Sequence, residues 1–147
     1  MRIRQATIDD LMVVAGLFDR YRQFYGQVSD IAAAQDFLFE RFTHNQLVVF
    51  LVEGTSGEGL GFARLYPSYS SVSMAAVFIL NDLYVAQQAR RTGLASLLLE
   101  RAANYEKTNG AIRLSLSTAH DNESAQALYV RDGWELDKQF CVFHKKL

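Results

Sequence analysis

FILNDLYVAQQARRTGLASLLLERAANYEKTNG, residues 78–110, decides the fold. Its first part closes the long apolar run SMAAVFILNDLYV, which reads as a strand. Its second part places Leu94, Leu97, Leu98, Ala102 and Tyr105 at helical steps, with Gly110 just past the end as a stop. The joint between them is RRTGLA, residues 90–95. The first turn of a helix exposes unpaired backbone N–H groups and the positive end of the helix dipole, so it can hold an anion. Gly93 has no Cβ to keep a phosphate away from the backbone, and Ala95 stays small. Leu94, Ala95 and Ser96 would offer the N–H groups, Thr92 a cap or a hydroxyl, and Arg90 and Arg91 charge suited to a pyrophosphate. A plainer reading has Thr92 as N-cap, Gly93 opening the helix and both arginines solvated. The hexapeptide alone does not choose between them.

Outward from this joint the chain alternates elements. RIRQA reads as a first strand. TIDDLMVVAGLFDRYRQFY is a helix with Leu11, Val14, Phe18, Tyr21 and Tyr25 on one face and Thr7 or Asp9 as cap. DIAAAQDFLFERF is a second helix, with Ile31, Ala34, Leu38 and Phe42 aligned. QLVVFLVEG and LGFARLYPSYS are strands joined by a glycine-rich turn, the second ending near Pro67. That turn lacks the Gly-Lys-Ser/Thr ending of a Walker loop. After residue 110 come a strand IRLSLS, a short helix NESAQALYVRDG between Asn122 and Gly133, and a final hairpin of WELD and QFCVFHKKL. The expected order is β-α-α-β-β-β-α-β-α-β-β. This is an α/β (α+β) fold with a twisted, mixed and mostly antiparallel sheet of about seven strands and about four helices. No early glycine-rich βα turn points to a Rossmann fold.

Composition narrows the function. With 147 residues and no linker, the chain is expected to form one domain spanning 1–147. A net charge of -1 gives no global attraction to nucleic acid or membranes. No apolar run reaches the span of a bilayer and no signal core opens the chain, so a cytoplasmic location is expected. Cys141 is the single cysteine, and His44, His120 and His144 are far apart, so no metal site is expected.

The strand ending LYV, the pattern Arg/Gln-x-x-Gly-x-Gly/Ala filled by Arg90, Gly93 and Ala95, and the leucine-rich helix resemble the acetyl-CoA-binding motif of the GCN5-related N-acetyltransferase (GNAT) superfamily. Asn122, Ala125 and Tyr129 match that family's Asn-x-x-Ala-x-x-x-Tyr spacing, followed by Gly133 and Trp134. The element order resembles the family's over essentially the whole chain, and most closely that of small single-domain members. The resemblance implies acetyl transfer from acetyl-CoA to a primary amine, a small molecule or a protein lysine, by direct attack in a ternary complex. It also favours a homodimer, as does the edge strand that a terminal hairpin would leave needing cover.

That chemistry sets requirements. An alkyl ammonium has a pKa near ~10.4 and must lose a proton before it attacks. Developing oxyanion charge needs N–H donors, and the departing thiolate gains from an acid. The resemblance puts the acid at Tyr129, a phenol of ordinary pKa around ~10; an amphipathic core tyrosine is the plainer alternative. It implies that a splayed strand at Leu83, Tyr84 and Val85 pairs with the pantetheine arm, and that Asn122 touches it besides capping its helix. Family members often carry a glutamate base where Asn81 stands, and an amide cannot take that proton. Asp82 is adjacent, but successive strand residues point to opposite faces. Water-mediated deprotonation, with Asn81 positioning the water, is preferred to Asp82 as base; Asp82 can instead be structural, bonding a neighbouring loop. Cys141, within a predicted strand, reads as a small buried apolar residue rather than an acyl carrier, and His120 as a surface loop residue. Tyr21, Phe24, Tyr25 and Tyr66 are core residues by spacing or the lining of an amine pocket. A catalytically silent acyl-CoA-binding module on the same fold, and a nucleotide-binding protein using the same turn, are the rival functions.

Overall fold

A computed structural model describes all residues, Met1–Leu147, and the chain divides into two compact units, Met1–Ser117 and Thr118–Leu147. The first unit opens with β1 (Arg2–Gln5) and a 3-10 turn at Ile8–Asp10. Thr7 caps that turn and Asp10 reaches back to the Thr7 N–H, a reciprocal capping box. Asp10 and Glu53 both grip Arg4, at 2.6 and 2.5 Å, which ties β1 to β2. Two helices follow, α1 (Leu11–Phe24) and α2 (Ile31–Thr43), the second capped by the Asp30 side chain on the Ala33 N–H.

β2 (Val48–Glu53), β3 (Gly59–Ser70) and β4 (Ala75–Val85) form an antiparallel meander. β3 does not stop near Pro67. It runs on to Ser70, because Pro67 lies past the last pair with β2, where only the ladder to β4 is in use. α3 (Leu94–Thr108) crosses back to β5 (Leu114–Leu116), which pairs parallel to β4. The sheet order is β1-β2-β3-β4-β5. α3 ends as its sequence requires. Gly110 takes φ +77, and Ala111 and Gly110 donate to the carbonyls of Glu106 and Lys107, a Schellman stop.

Register divides the sheet into two faces. Val49, Leu51 and Phe62 pack with Val14, Leu17, Phe18, Ala34 and Leu38 under α1 and α2. On the other face Phe50 meets Tyr105 of α3, and Ala63 and Leu65 lie opposite Phe50 and Val48 in the ladder. Each fully buried Leu, Val or Phe contributes about 1.5–3 kcal/mol, so these two layers carry the unit's stability. The buried stripe of α3 is Leu94, Leu98, Leu99, Ala102 and Glu106; Leu97, expected on that stripe, is exposed.

The second unit holds α4 (Glu123–Arg131), capped by Asn122 and stopped by Gly133 at φ +88. The sheet therefore has five strands, not about seven, and the order is β-α-α-β-β-β-α-β-α. WELD and QFCVFHKKL are not strands. The Asp137 carboxylate takes the N–H groups of Gln139 and Phe140, a local turn that competes with pairing in a ladder. Without that hairpin, the edge expected to recruit a second subunit is absent.

Candidate active site

The site begins at an irregularity in β4. Arg64 pairs with Asp82 and the next residue, Leu65, pairs with Leu80, so Asn81 is an extra residue with no partner on β3. Such a bulge twists the strand and re-aims side chains. Here it overrides the alternation expected from sequence, since the Asn81 Nδ2 donates to the Asp82 carboxylate at 3.2 Å. The parallel ladder to β5 also stops here, at Leu80 with Leu116. Leu83, Tyr84 and Val85 continue β4 with β3 on one side and no ladder on the other, leaving strand hydrogen-bonding capacity beyond the bulge.

The turn after β4 is built by its own polar groups. Ala86 donates to Leu60, and a 3-10 turn spans Gln87–Ala89. Arg90 folds back, its Nε donating to the Val85 carbonyl at 3.0 Å. Thr92 is not the N-cap. Its hydroxyl donates to the Ala89 carbonyl at 2.6 Å and braces the turn, while Gly93 stands at the cap with φ +83. Arg91 is also left-handed, at φ 62. A Cβ on Gly93 would meet nothing within 4 Å, so the backbone there faces open space. The first bond of α3 runs from Leu97 to Gly93, leaving the Leu94 and Ala95 N–H groups outside the intrahelical ladder, with Ser96 in the same turn. The open backbone, the helix terminus and two arginines suit a diphosphate.

Four of the aromatic candidates converge on this junction. The Tyr21 ring lies 5.0 Å from Tyr25 and 6.5 Å from Tyr84; Phe24 lies 5.2 Å from Tyr25. The Arg90 guanidinium sits 5.7 Å from Phe24 and 5.8 Å from Tyr84. Tyr21 is half-buried and belongs partly to the core, whereas Phe24 and Tyr25 are exposed. The Tyr21 hydroxyl reaches the Asn81 carbonyl at 3.5 Å. Burial, then the Asp82 charge, push the Tyr21 phenol well above its ordinary range, so it stays a donor.

Behind Tyr21 lies a feature that spacing did not reveal. Arg64 and Asp82 are both buried and form an ion pair under α1 and α2. Asp82 thus bonds a neighbouring strand, not a loop. Burial pushes its carboxyl upward, against the pull of Arg64 and the hydrogen bonds of Tyr21 and Asn81. The Arg64 guanidinium lies 4.3 Å from the Phe18 ring, 5.3 Å from Phe37 and 5.5 Å from Tyr66. Tyr66, another aromatic candidate, is pushed up by burial and pulled back by Arg64 and Arg41. A lone arginine in the apolar run of β3, opposite a lone aspartate in β4, was the available signal.

In the second unit, Asn122 caps α4 through its Oδ1, which takes the Ala125 N–H at 3.3 Å. Tyr129 lies on the same helix, its ring 6.1 Å from Trp134 and its carbonyl accepting the Trp134 N–H at 2.9 Å. Cys141 is exposed and outside any strand, contrary to the buried role its apolar neighbours suggested. His120 precedes α4 in a turn. No group of three metal-ligating side chains occurs.

The sequence profile of the family described as "Acetyltransferase (GNAT) family" matches residues 14–134. YhfO of Bacillus subtilis (strain 168), an uncharacterized N-acetyltransferase, is 44% identical over 143 residues, covering 97% of this chain and 95% of YhfO. A crystal structure of a probable acetyltransferase is 40% identical, covers 100% of this chain and 98% of its own, and superposes with a TM-score of 0.95. The aminoglycoside N-acetyltransferase AAC(6')-Iy in complex with CoA shares the fold at a TM-score of 0.83 and 19% identity, covering 99% and 95% of the two chains.

Proposed function

The chain belongs to the acetyltransferase (GNAT) family and is an N-acetyltransferase, and on that premise we propose that it moves an acetyl group from acetyl-CoA directly to a primary amine. The observation that carries this reading is the junction itself. β4 loses its ladder to β5 at Leu80, and eight residues after Val85 a left-handed Gly93 opens α3 beside two arginines. The family match runs through both units, which supports treating residues 1–147 as one catalytic domain.

Acetyl-CoA supplies the activated acyl group. In our reading the backbone of Gly93, Leu94, Ala95 and Ser96 holds the diphosphate, with Thr92 bracing the turn and Arg90 and Arg91 adding charge. Leu83, Tyr84 and Val85 offer backbone groups to the pantetheine arm, and Asn122 and Ala125 stand at the family's positions for the same arm. Asp82 is committed to Arg64, so we assign deprotonation of the acceptor to water held at the Asn81 bulge, with the Tyr21 hydroxyl fixing the bulge carbonyl. On the motif match alone, Tyr129 is our candidate for the group that gives a proton to the leaving thiolate.

Thiol release from acetyl-CoA over a panel of amines tests the whole reading. Turnover with at least one amine is expected; tight CoA binding with no turnover on any amine would leave only a silent acyl-CoA-binding module. Tyr129→Phe should keep CoA affinity and lower turnover at least about tenfold, as loss of a general acid does. An unchanged rate removes Tyr129 from that role.

A further inference from the structure

We infer that the acceptor brings its own carboxylate: the amine substrate is an amino acid, and Arg64 receives its carboxylate group with Arg41 and Tyr66 alongside. This rests on the acetyltransferase reading above and names the substrate class of the same site. Arg64 is 3% exposed, yet its Nε and Nη1 have no hydrogen-bond partner. Only the contact to Asp82 engages the guanidinium through Nη2. The rings of Phe18, Phe37 and Tyr66 attract the cation, but they offer no acceptor to N–H bonds lying in the guanidinium plane. A planar fork with two nitrogens to spare is the geometry that takes a carboxylate through two hydrogen bonds. Buried N–H donors in folded proteins almost always find an acceptor, so these point to one that arrives from outside.

Position and charge agree. Arg64 faces Asp82 across the ladder, and Asp82 adjoins the Asn81 bulge, where the reading above puts the amine. Two rings over Arg64, Phe37 and Tyr66, are themselves partly exposed, so on this inference one of them moves aside to admit the carboxylate. Arg41 lies 4.8 Å from the Phe37 ring and acts on the Tyr66 phenol together with Arg64, giving a second positive charge at this entrance. The buried carboxylates nearby offer little to a further cation: Asp82 is ion-paired, although its Oδ2 makes no regular hydrogen bond. Asp82 holds Arg64, and Asp19 takes Gln23, Ser29 and the Asp30 N–H at 3.0, 2.6 and 2.7 Å. A polyamine or amino-sugar needs free carboxylates for its further ammonium groups; a site with surplus arginine suits a zwitterion.

The test is calorimetric titration of the CoA-loaded protein with leucine, phenylalanine and serine, with the corresponding amides, and with spermidine and glucosamine. Thiol release is measured in parallel. The free amino acids should bind at least tenfold more tightly than their amides. Arg64→Lys keeps the charge opposite Asp82 but loses the fork, and should erase the preference for acid over amide while CoA affinity stays unchanged. Arg41→Gln, at the partly exposed entrance, should weaken amino-acid binding about threefold. Equal binding of acid and amide, binding of neither, or a preference for spermidine or glucosamine overturns the inference. Turnover of those polycations alone overturns it while leaving the transferase reading standing. Carboxylate-dependent binding lost in Arg64→Lys, with no turnover of any amine, does the reverse.

Discussion

Both faces of the sheet bury charge, and they treat it in opposite ways. Under α1 and α2, Arg64 and Asp82 neutralise one another and aromatic rings surround the cation. Under α3, Glu106 is 3% exposed and neither carboxylate oxygen has a partner; burial alone pushes its pKa up to about 7. One face keeps its charges by pairing them. The other holds a carboxyl that keeps its proton until the pH approaches about 7. A buried ion survives where a counter-ion supports it, and otherwise changes protonation state.

The sharpest way to break this contrast is to remove one member of the pair. Asp82→Ala should cost about 3–5 kcal/mol, because it strands a buried guanidinium. A denaturant titration reads this directly, and at about 2–4 °C per kcal/mol the melting temperature should fall by roughly 10 °C. The double variant Arg64→Met/Asp82→Leu should recover most of that loss; if it is no more stable than Asp82→Ala, the pair is not what the site depends on.

The N-terminal end of α3 offers the second test, since there the face awaits an anion rather than hiding one. Gly93→Glu brings a negative side chain to a φ of +83 beside the proposed diphosphate positions. CoA affinity should fall about 100-fold or more, roughly 2.7 kcal/mol, by calorimetry. Gly93→Ala meets no protein atom, so it should cost the left-handed backbone penalty of roughly 1–2 kcal/mol in stability and weaken CoA less than Gly93→Glu does.

Glu106 gives the next effect. Its folded-state pKa lies above the ordinary 4.5, so the native state binds the extra proton. Its contribution to stability is therefore intact below the ordinary glutamate range, declines as pH rises, and is gone above about 7. Glu106→Gln should flatten this decline and raise the melting temperature at pH 8 by several degrees, at about 2–4 °C per kcal/mol, with little change at pH 4. Parallel stability–pH curves for the two proteins would mean that Glu106 finds a counter-charge. The smallest effect belongs to Tyr21→Phe, which deletes the hydroxyl's contacts to the Asn81 carbonyl and to the Asp82 carboxylate. Stability should change by about 1 kcal/mol or less, and turnover should drop a few-fold in the thiol assay without loss of CoA binding.

Much of this was legible in the sequence because it depends on neighbours along the chain. Helix spacing located α1 to α4, and Asn122, Gly110 and Gly133 marked ends that the backbone then adopted. The glycine at the head of α3 and the aromatic cluster around Tyr21 were also visible. Features set by neighbours across the sheet were not. The Arg64–Asp82 pair depends on register, and so does the bulge that brings Asn81 and Asp82 together. Glu106 stands four residues after Ala102 and eight after Leu98 on one stripe, but its ionisable side chain hides it from a pattern of apolar residues. The terminal hairpin failed for the converse reason: alternating residues predict a strand only where another strand receives it.

The bulge also separates what can be deleted from what cannot. Leu80 and Asp82 already lie on opposite faces of the sheet although one residue stands between them, so Asn81 is surplus to the ladder. Excising it would leave a regular strand with every other side chain on its own side, Asp82 still facing Arg64 and Leu80 still facing Leu65. Asn81 is thus the one position of β4 that the ladder to β3 does not require, and the one where the proposed water is held. A chain lacking Asn81 should keep its fold and, on the proposed role of the bulge, lose turnover in the thiol assay.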